Sequence, residues 1–134
     1  MQDYTALKEV IGICRDAEQG FRGAANAVKT PALRTLFETY SAERANFANA
    51  LIQAGSSLGL QVEDSLGIEG TFHAGWMALK GALSGHNEHQ ILVETARGEE
   101  MSLERYRSAL SMNLSDQIRA MLQDQSAQIQ QARD

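Results

Sequence analysis

The sequence is poor in residues that break helices or cross-link chains. It has one proline and one cysteine in 134 residues. A single cysteine excludes a disulfide within the chain and agrees with a reducing compartment. A proline inside a helix removes a backbone hydrogen bond and clashes with the preceding turn, so its scarcity leaves long stretches free to form helices. The composition therefore favours an all-helical fold.

Two further absences narrow the function. The 12 Lys and Arg residues are scattered and the formal net charge is −5, so no basic stripe is present to neutralise phosphates. No run approaches the roughly 18 apolar residues of a membrane span, and the N-terminus lacks the basic start and apolar run of a secretion signal. We therefore expect a cytoplasmic protein that binds neither nucleic acid nor a membrane.

The chain does have enough apolar sequence for one core. Hydrophobic residues make up 43% and charged residues 22% of the sequence, which is ordinary for a globular protein. A chain of this length can close a single hydrophobic core. We predict one domain over residues 1–134.

Four long segments carry apolar residues at alternating steps of three and four, the pattern of helices with one face in a bundle core. The files are Leu7, Ile11, Cys14, Glu18, Phe21, Ala25 and Val28; Leu33, Leu36, Tyr40, Glu43, Phe47, Ala50 and Ala54; Leu92, Ala96, Glu99, Leu103, Tyr106 and Leu110; and Ile118, Leu122, Gln125, Ile129 and Ala132. The connections near residues 29–30 and 112–116 are short, so each consecutive pair forms an antiparallel hairpin.

A connector over about residues 60–85 joins the two hairpins. Glycine and polar residues punctuate its start, and a shorter helix follows with Phe72 and Trp76 on one face. These aromatic residues either pack onto the end of the bundle or anchor a contact with another protein. The sequence leaves both alternatives open.

Each file has one polar residue near its middle, namely Glu18, Glu43, Glu99 and the neutral Gln125. At about 1.5 Å of rise per residue, these residues lie on the order of 17 to 20 Å from their hairpin turns, so all four can meet at one level. Three carboxylates inside a core repel one another and lose hydration, and this cost needs an offset.

Three solutions would offset the buried negative charge. A divalent metal cluster bridged by the glutamates is one of them. A network of Arg44, Arg97, Tyr40 and Tyr106 reaching inward is the second, because arginine makes bidentate hydrogen bonds to carboxylates. Protonation of one or two of the glutamates is the third.

The stretches CRDAEQGFRGAA, ERANFANAL, HAGWMALKGAL and ETARGEE resemble a bacterial ferritin-like four-helix-bundle family of unassigned function, and the similarity runs from about residue 4 to 132. The resemblance implies an antiparallel ferritin-like bundle with a helical crossover between helices two and three. Ferritin-like metal sites take Glu from two helices and Glu-x-x-His from the other two. This sequence has Asn46, Ser102 and Gln128 where the histidines would stand.

Two functions from different classes remain. The first is a non-enzymatic, dimeric bundle that acts through protein contacts or in stress, with a degenerate carboxylate core and no bound cofactor. The second is a metal-binding protein or metal-dependent oxidoreductase, with Glu18, Glu43 and Glu99 holding one or two Fe or Mn ions and Gln125 or Gln128 completing the shell. A two-metal site expects about six protein ligands, and the sequence offers three carboxylates, which favours the first function.

Overall fold

The computed structural model of the chain describes residues 2–62, 85 and 87–133. Within these residues the protein is all-helical, with four α-helices and no strand. The helices are α1 (Asp3–Ala27), α2 (Pro31–Ser57), α3 (Glu88–Leu110) and α4 (Asp116–Arg133). The predicted helical class is confirmed. None of the described helices is long and apolar enough to cross a membrane.

Local sequence decides where three of the helices begin. Pro31 takes the first position of α2, where its missing N–H costs no hydrogen bond. At the start of α3, the Asn87 side chain accepts a hydrogen bond from Gln90 N at 3.0 Å. At the start of α4, the Ser115 hydroxyl accepts one from Ile118 N at 3.4 Å. Both are N-caps of the kind that the sequence predicts.

α1 and α2 run in opposite directions along each other. Close to the turn that joins them, the rings of Phe21 and Phe37 stack with their centroids 5.9 Å apart. Farther from the turn, Arg15 Nη2 donates to Asn49 Oδ1 at 2.7 Å. α1 also packs against α3, so it has a neighbour on two sides.

α3 and α4 also run in opposite directions. Arg119 Nη1 donates to the Leu110 carbonyl oxygen at 2.8 Å beside their turn, and Tyr106 donates to Gln125 Oε1 at 2.8 Å farther along. α4 also contacts α2. The described helices therefore pack as a bundle in which α1 and α4 each contact both α2 and α3.

A carboxylate closes one end of the bundle. Glu88, the first residue of α3, accepts hydrogen bonds from Thr30 N at 3.1 Å and Thr30 Oγ1 at 3.2 Å. Thr30 stands at the N-cap position of α2, where its hydroxyl makes no capping hydrogen bond and donates to Glu88. We call this part of the molecule the Thr30 end.

The buried apolar side chains form two clusters. The four-helix core contains Ala6, Leu7, Val10, Ile11, Cys14, Phe47, Ala48, Leu51, Ala54, Val62, Leu103, Tyr106, Ala109, Leu114, Ile118, Leu122 and Ile129. The three-helix core, nearer the Thr30 end, contains Ile13, Ala17, Phe21, Ala24, Ala25, Ala27, Val28, Phe37 and Ile91. Within the described residues, α4 contributes to the four-helix core alone.

The predicted core faces of α1 and α4 agree with the structure. Every member of the α1 file except Glu18 is buried, and so are the first four members of the α4 file. The side chain of Ala132, the fifth member, lies outside the described residues. On these two helices the spacing of apolar residues identified the buried face.

The predicted core face of α2 is wrong: the buried face is rotated about the helix axis by about a quarter turn, which corresponds to one residue at about 100° per residue. Leu36 is 40% exposed and Ala50 is exposed. The buried face contains Phe37, Ser41, Arg44, Phe47, Ala48, Leu51, Ala54 and Gly55. Arg44 lies near the centre of this face, where the predicted file has Glu43, and Phe47 and Ala54 belong to both faces.

The predicted file of α3 is buried in one half and exposed in the other. Leu103 and Tyr106 are buried in the four-helix core, whereas Leu92 is 39% exposed and Ala96 is exposed. The last buried side chain described on α4 is Ile129. The file is therefore buried at the level where α4 contributes to the core and exposed toward the Thr30 end.

The predicted crossover helix, with Phe72 and Trp76, lies outside the described residues. The described chain leaves α2 and reaches Val62, which is buried in the four-helix core. It resumes at Asn87, beside the Thr30 end. The two flanks of the connector therefore stand at opposite ends of the bundle.

Candidate functional site

A buried ion pair crosses the interior of the bundle. Arg44 of α2 is 1% exposed and Glu99 of α3 is 5% exposed. Arg44 Nη1 donates to Glu99 Oε1 and Arg44 Nη2 donates to Glu99 Oε2, each at 2.6 Å. Two parallel charge-assisted hydrogen bonds make this a bidentate pair, which is both strong and geometrically specific.

The ion pair stands between the two cores. On α2, Arg44 follows Phe37 of the three-helix core and precedes Phe47 of the four-helix core. Glu99 occupies the corresponding interval on α3, after Ile91. The helices thus carry apolar residues on both sides of one polar level, and the pair fills that level with opposite charges.

The Arg44 guanidinium has two further contacts. Its Nε donates to Glu43 Oε1 at 3.2 Å, and its Cζ lies 5.4 Å from the centroid of the Phe21 ring, within the range of a cation–π interaction. Burial lowers the pKa of Arg44, but the hydrogen bonds to Glu99 and the charge of that carboxylate outweigh burial and raise the pKa above its ordinary value. The guanidinium is therefore charged at any physiological pH.

Two of the three predicted glutamates meet at this guanidinium. Glu99 binds its two Nη groups, and Glu43, whose side chain is 26% exposed, binds its Nε edge. The third, Glu18, accepts from Arg15 Nη1 at 3.0 Å and Arg22 Nη2 at 2.9 Å, with 16% of its side chain exposed. Glu18 is thus neutralised by arginines of its own helix.

The inward network that the sequence suggested as an alternative is present in part. Arg44 and Tyr106 are buried. The Arg97 side chain is 58% exposed, and its Nη1 lies 3.6 Å from Glu94 Oε2. Tyr40 is half-buried; burial, followed by the negative charges of neighbouring glutamates, raises its pKa. One arginine and one tyrosine therefore reach the interior.

A chain of hydrogen bonds links all four described helices inside the four-helix core. Cys14 Sγ lies 3.3 Å from Tyr106 Oη, and Tyr106 donates to Gln125 Oε1 at 2.8 Å. Gln125 Nε2 donates to the Phe47 carbonyl oxygen at 3.4 Å. Because the phenol has one hydrogen, which goes to Gln125, the Cys14 thiol donates to the phenol oxygen.

The acid groups of this chain stay protonated. Burial raises the pKa of Cys14 to about 11. Burial, followed by the neighbouring Cys14 sulfur, raises the pKa of Tyr106 well above its ordinary value. A thiol acts as a nucleophile through its thiolate, so Cys14 is a buried hydrogen-bond donor and a small core residue.

The predicted shell residues lie in different environments. Gln125 is buried in the chain just described, whereas Gln128 is exposed and donates to Asp124 Oδ2 at 2.9 Å. The part of the chain that the structure describes has no group of three or more His, Cys, Asp or Glu side chains placed to hold a metal. Both Glu99 oxygens already bind Arg44, so these residues do not fit a metal as arranged. Metal binding stays a prediction.

A cleft of about 290 Å³ opens between α1 and α2. Its lining residues are Glu18, Arg22, Ala25, Asn26, Glu38, Ser41, Ala42 and Ala45. Glu18 and Arg22 are bonded to each other across one wall, and the Ser41 hydroxyl donates to the Glu18 carbonyl oxygen at 2.8 Å. Glu18, Arg22 and Ser41 therefore bond to other groups of the cleft wall, and three of the other lining residues are alanines.

The sequence placed Arg44 in one of three alternatives for offsetting the buried charge, and it did not identify Arg44 as the central buried cation. A signal was present: Phe37, Ser41, Arg44, Ala48 and Leu51 also follow steps of three and four. That file is flanked by apolar residues on both sides of its single charge, as the file through Glu43 is. The two files could be told apart by the charge at Glu99, which requires an opposite charge on a facing helix.

A comparison with known protein families matches the part of the chain that forms the first three described helices. The family described as "Domain of unknown function (DUF2383)" matches residues 2–112. The match spans α1 to α3, including both members of the ion pair, and ends before α4. No curated protein matches the chain.

Proposed function

Because the chain belongs to this family of unknown function, DUF2383, we propose a function from its own residues: a non-enzymatic helical bundle that acts by contact with another protein, here a second copy of itself. The bidentate pair of Arg44 and Glu99 carries the non-enzymatic part of the proposal. A buried carboxylate held by a guanidinium on both oxygens is not free to act as a base or a ligand.

The other interior polar groups support the same function. General acid–base catalysis works best with a group whose pKa lies near the operating pH. The pKa values of Cys14, Tyr106 and Arg44 are all raised away from neutrality, and Gln125 does not titrate. These interior groups therefore hold helices together rather than move protons.

We propose that the described helices belong to an antiparallel ferritin-like four-helix bundle with a helical crossover near residues 60–85. The opposite directions of α1 and α2, and of α3 and α4, support this arrangement. So do the flanks of the connector, since Val62 and Asn87 stand at opposite ends of the bundle. A 27-residue helix such as α2 is about 40 Å long, and the connector must span a comparable distance.

The contact surface that we propose is the Thr30-end patch, defined as Leu36, Leu92 and Val93. These side chains are 40%, 39% and 39% exposed. Leu36 of α2 and Leu92 of α3 are exposed near the Thr30 end, where no described residue of α4 contributes to the core, and we propose that they form one apolar strip. A second copy would bring the same strip, which suits a two-fold interface in which each surface contacts its equivalent.

Two predictions from the sequence extend this proposal. Phe72 and Trp76 are aromatic residues of the kind that anchor protein interfaces, and we propose them as further contact residues. We place the protein in the cytoplasm, without a nucleic-acid or membrane partner, on its scattered basic residues and its single buried cysteine.

Sedimentation across a range of protein concentrations tests the contact proposal. We expect the wild-type chain to form a dimer, and the double variant Leu36→Glu with Leu92→Glu to be a monomer, because a carboxylate in an apolar interface loses its hydration. The matched control is Leu58→Glu, since Leu58 is 42% exposed beyond the other end of α2. That variant should remain a dimer.

Two results would contradict the contact proposal. A wild-type chain that stays monomeric at all concentrations has no self-contact for the patch to make. A control variant that dissociates as fully as the patch variant would show that any new charge disrupts the dimer. Circular dichroism of each variant distinguishes loss of contact from loss of fold.

A further inference from the structure

The ferritin-like resemblance implies a metal at the polar level of the bundle, and the described residues do not fit one there. From that disagreement we infer that the core holds a receptor for a planar guanidinium cation, formed by Glu99, Glu43 and Phe21, which the side chain of Arg44 fills. The receptor excludes divalent metals while the arginine is in place. This inference concerns the same ion pair on which the non-enzymatic proposal rests.

The contacts follow the shape of a guanidinium. The Glu99 carboxylate binds both Nη groups at 2.6 Å, so its two oxygens face one edge of the cation. Glu43 Oε1 binds Nε at 3.2 Å on another edge. The Phe21 ring lies 5.4 Å from Cζ, where an aromatic face attracts a cation. The two carboxylates along the edges of the cation and the aromatic ring over its face together select a flat cation with several hydrogen-bond donors.

A divalent metal has different needs. Mg²⁺ and the first-row transition ions take four to six ligands, mostly at about 2.0–2.2 Å, from directions set by their geometry. Within the described residues, two carboxylates converge on the guanidinium, and each is spread along an edge rather than aimed at a point. A metal would also meet the positive charge of Arg44, which repels it in a site of low dielectric.

Truncation of the arginine should convert the filled receptor into an open one. In Arg44→Ala the two carboxylates lose their cation and a space of guanidinium size remains. We expect guanidinium chloride at low millimolar concentrations, far below those that denature proteins, to raise the melting temperature of this variant until the effect saturates, as for any ligand that binds the folded state. Methylguanidinium should act likewise, because it retains the planar donor edge.

The controls separate a specific site from an ionic effect. Sodium chloride and tetramethylammonium chloride at equal concentrations, and Mn²⁺ or Fe²⁺ under anaerobic conditions, should give no comparable rise. The matched variant Arg22→Ala, which removes an arginine whose side chain is 62% exposed, should not respond to guanidinium. Adding Glu99→Gln to Arg44→Ala should abolish the response, because the bidentate acceptor is lost.

Should Arg44→Ala not fold alone, the same ions are tested as refolding additives. Guanidinium should then increase the folded fraction measured by circular dichroism, and the other cations should not. Equal rescue by Mn²⁺ or Fe²⁺ would overturn the selectivity for guanidinium. A lack of response to every cation, in melting and in refolding, would overturn the receptor itself.

The wild-type chain tests exclusion of metal. We expect no change in its melting temperature with Mn²⁺ or Fe²⁺, and no metal retained in stoichiometric amount after purification without chelator. Metal stabilisation of the wild type would overturn exclusion and the non-enzymatic function together. Metal stabilisation of Arg44→Ala alone would overturn the selectivity and leave the proposed function standing.

Discussion

The four-helix core and the three-helix core share α1, α2 and α3, and they differ in how completely they are enclosed. In the four-helix core, α4 supplies Ile118, Leu122 and Ile129, each 0% exposed. In the three-helix core, no described residue of α4 takes part, and Leu36 and Leu92 remain 40% and 39% exposed. The comparison teaches that one missing neighbour turns a core face into a surface face.

The polar level between the two cores is where this change occurs. The bidentate pair of Arg44 and Glu99 connects α2 to α3 across the interior. An ion pair is directional, whereas apolar contacts are not. The pair can therefore fix the relative rotation of α2 and α3 at the polar level, where apolar packing constrains that rotation least.

Of the predicted variants, the one that breaks the ion pair between the two cores should have the largest effect on stability. Glu99→Leu leaves Arg44 buried without its main partner, and loss of one member of a buried pair costs about 3–5 kcal/mol of unfolding free energy. Chemical denaturation measures this loss. Both cores should unfold in one transition at lower denaturant, because the pair lies between them.

The control for that variant removes both charges. Arg44→Met together with Glu99→Leu should recover most of the lost stability, since replacing a buried pair by apolar residues is often neutral or stabilising. A double variant no more stable than Glu99→Leu would contradict the view that the penalty comes from an uncompensated charge.

Equal truncations in the two cores sharpen the comparison next. Ile118 and Ile91 are both 0% exposed, and each Ile→Ala substitution should cost about 2–5 kcal/mol. The cost falls when neighbours can move into the cavity, and the three-helix core has half-exposed side chains beside it. Ile118→Ala should therefore be the more destabilising. Equal losses in denaturant unfolding, or the reverse order, would contradict a difference in enclosure of this kind.

The hydrogen-bond chain of the four-helix core is the next target. Tyr106→Phe removes a hydroxyl that serves Cys14 and Gln125, so it leaves two buried groups unpaired and should cost about 1–3 kcal/mol. Cys14→Ser is the matched control, since a hydroxyl can donate to the phenol as the thiol does. Equal stability of Tyr106→Phe and wild type in thermal melts would mean that the chain contributes nothing.

The smallest effect belongs to the carboxylate at the Thr30 end. The hydrogen bonds from Thr30 hold the pKa of Glu88 below its ordinary value of 4.5. A lowered pKa stabilises the fold above the unfolded value, and the benefit is lost as pH falls through the folded value. Glu88→Gln should therefore have a slightly lower melting temperature than wild type at pH 7 and the same melting temperature in acid. The control Glu104→Gln, at an exposed position, should have the wild-type melting temperature at both pH values.

Much of this architecture could be predicted from the sequence. The four helices, the short connections near residues 29–30 and 112–116, and the buried faces of α1 and α4 followed from local signals, because periodicity depends on residues a few positions apart. The family match adds that the chain is a domain of unknown function.

The register of α2 could not be predicted, and the reason is physical. Arg44 and Glu99 stabilise each other across 55 positions of sequence, so neither residue alone shows that the other will be buried. The file chosen from the sequence runs through Glu43, whereas the buried face of α2 runs through Arg44. The local spacing of the helix was correct, and the long-range pairing decided its rotation.

The central claim is that the charge of the bundle interior is neutralised by a fixed Arg44 guanidinium bound to Glu99. The most direct test is the nitrogen and proton NMR spectrum of the arginine side chains at neutral pH. We predict one guanidinium with separately resolved, slowly exchanging Nη protons, which disappear in Arg44→Lys and lose their resolution in Glu99→Gln. A wild-type spectrum in which every arginine guanidinium rotates freely and exchanges rapidly with water would contradict the claim.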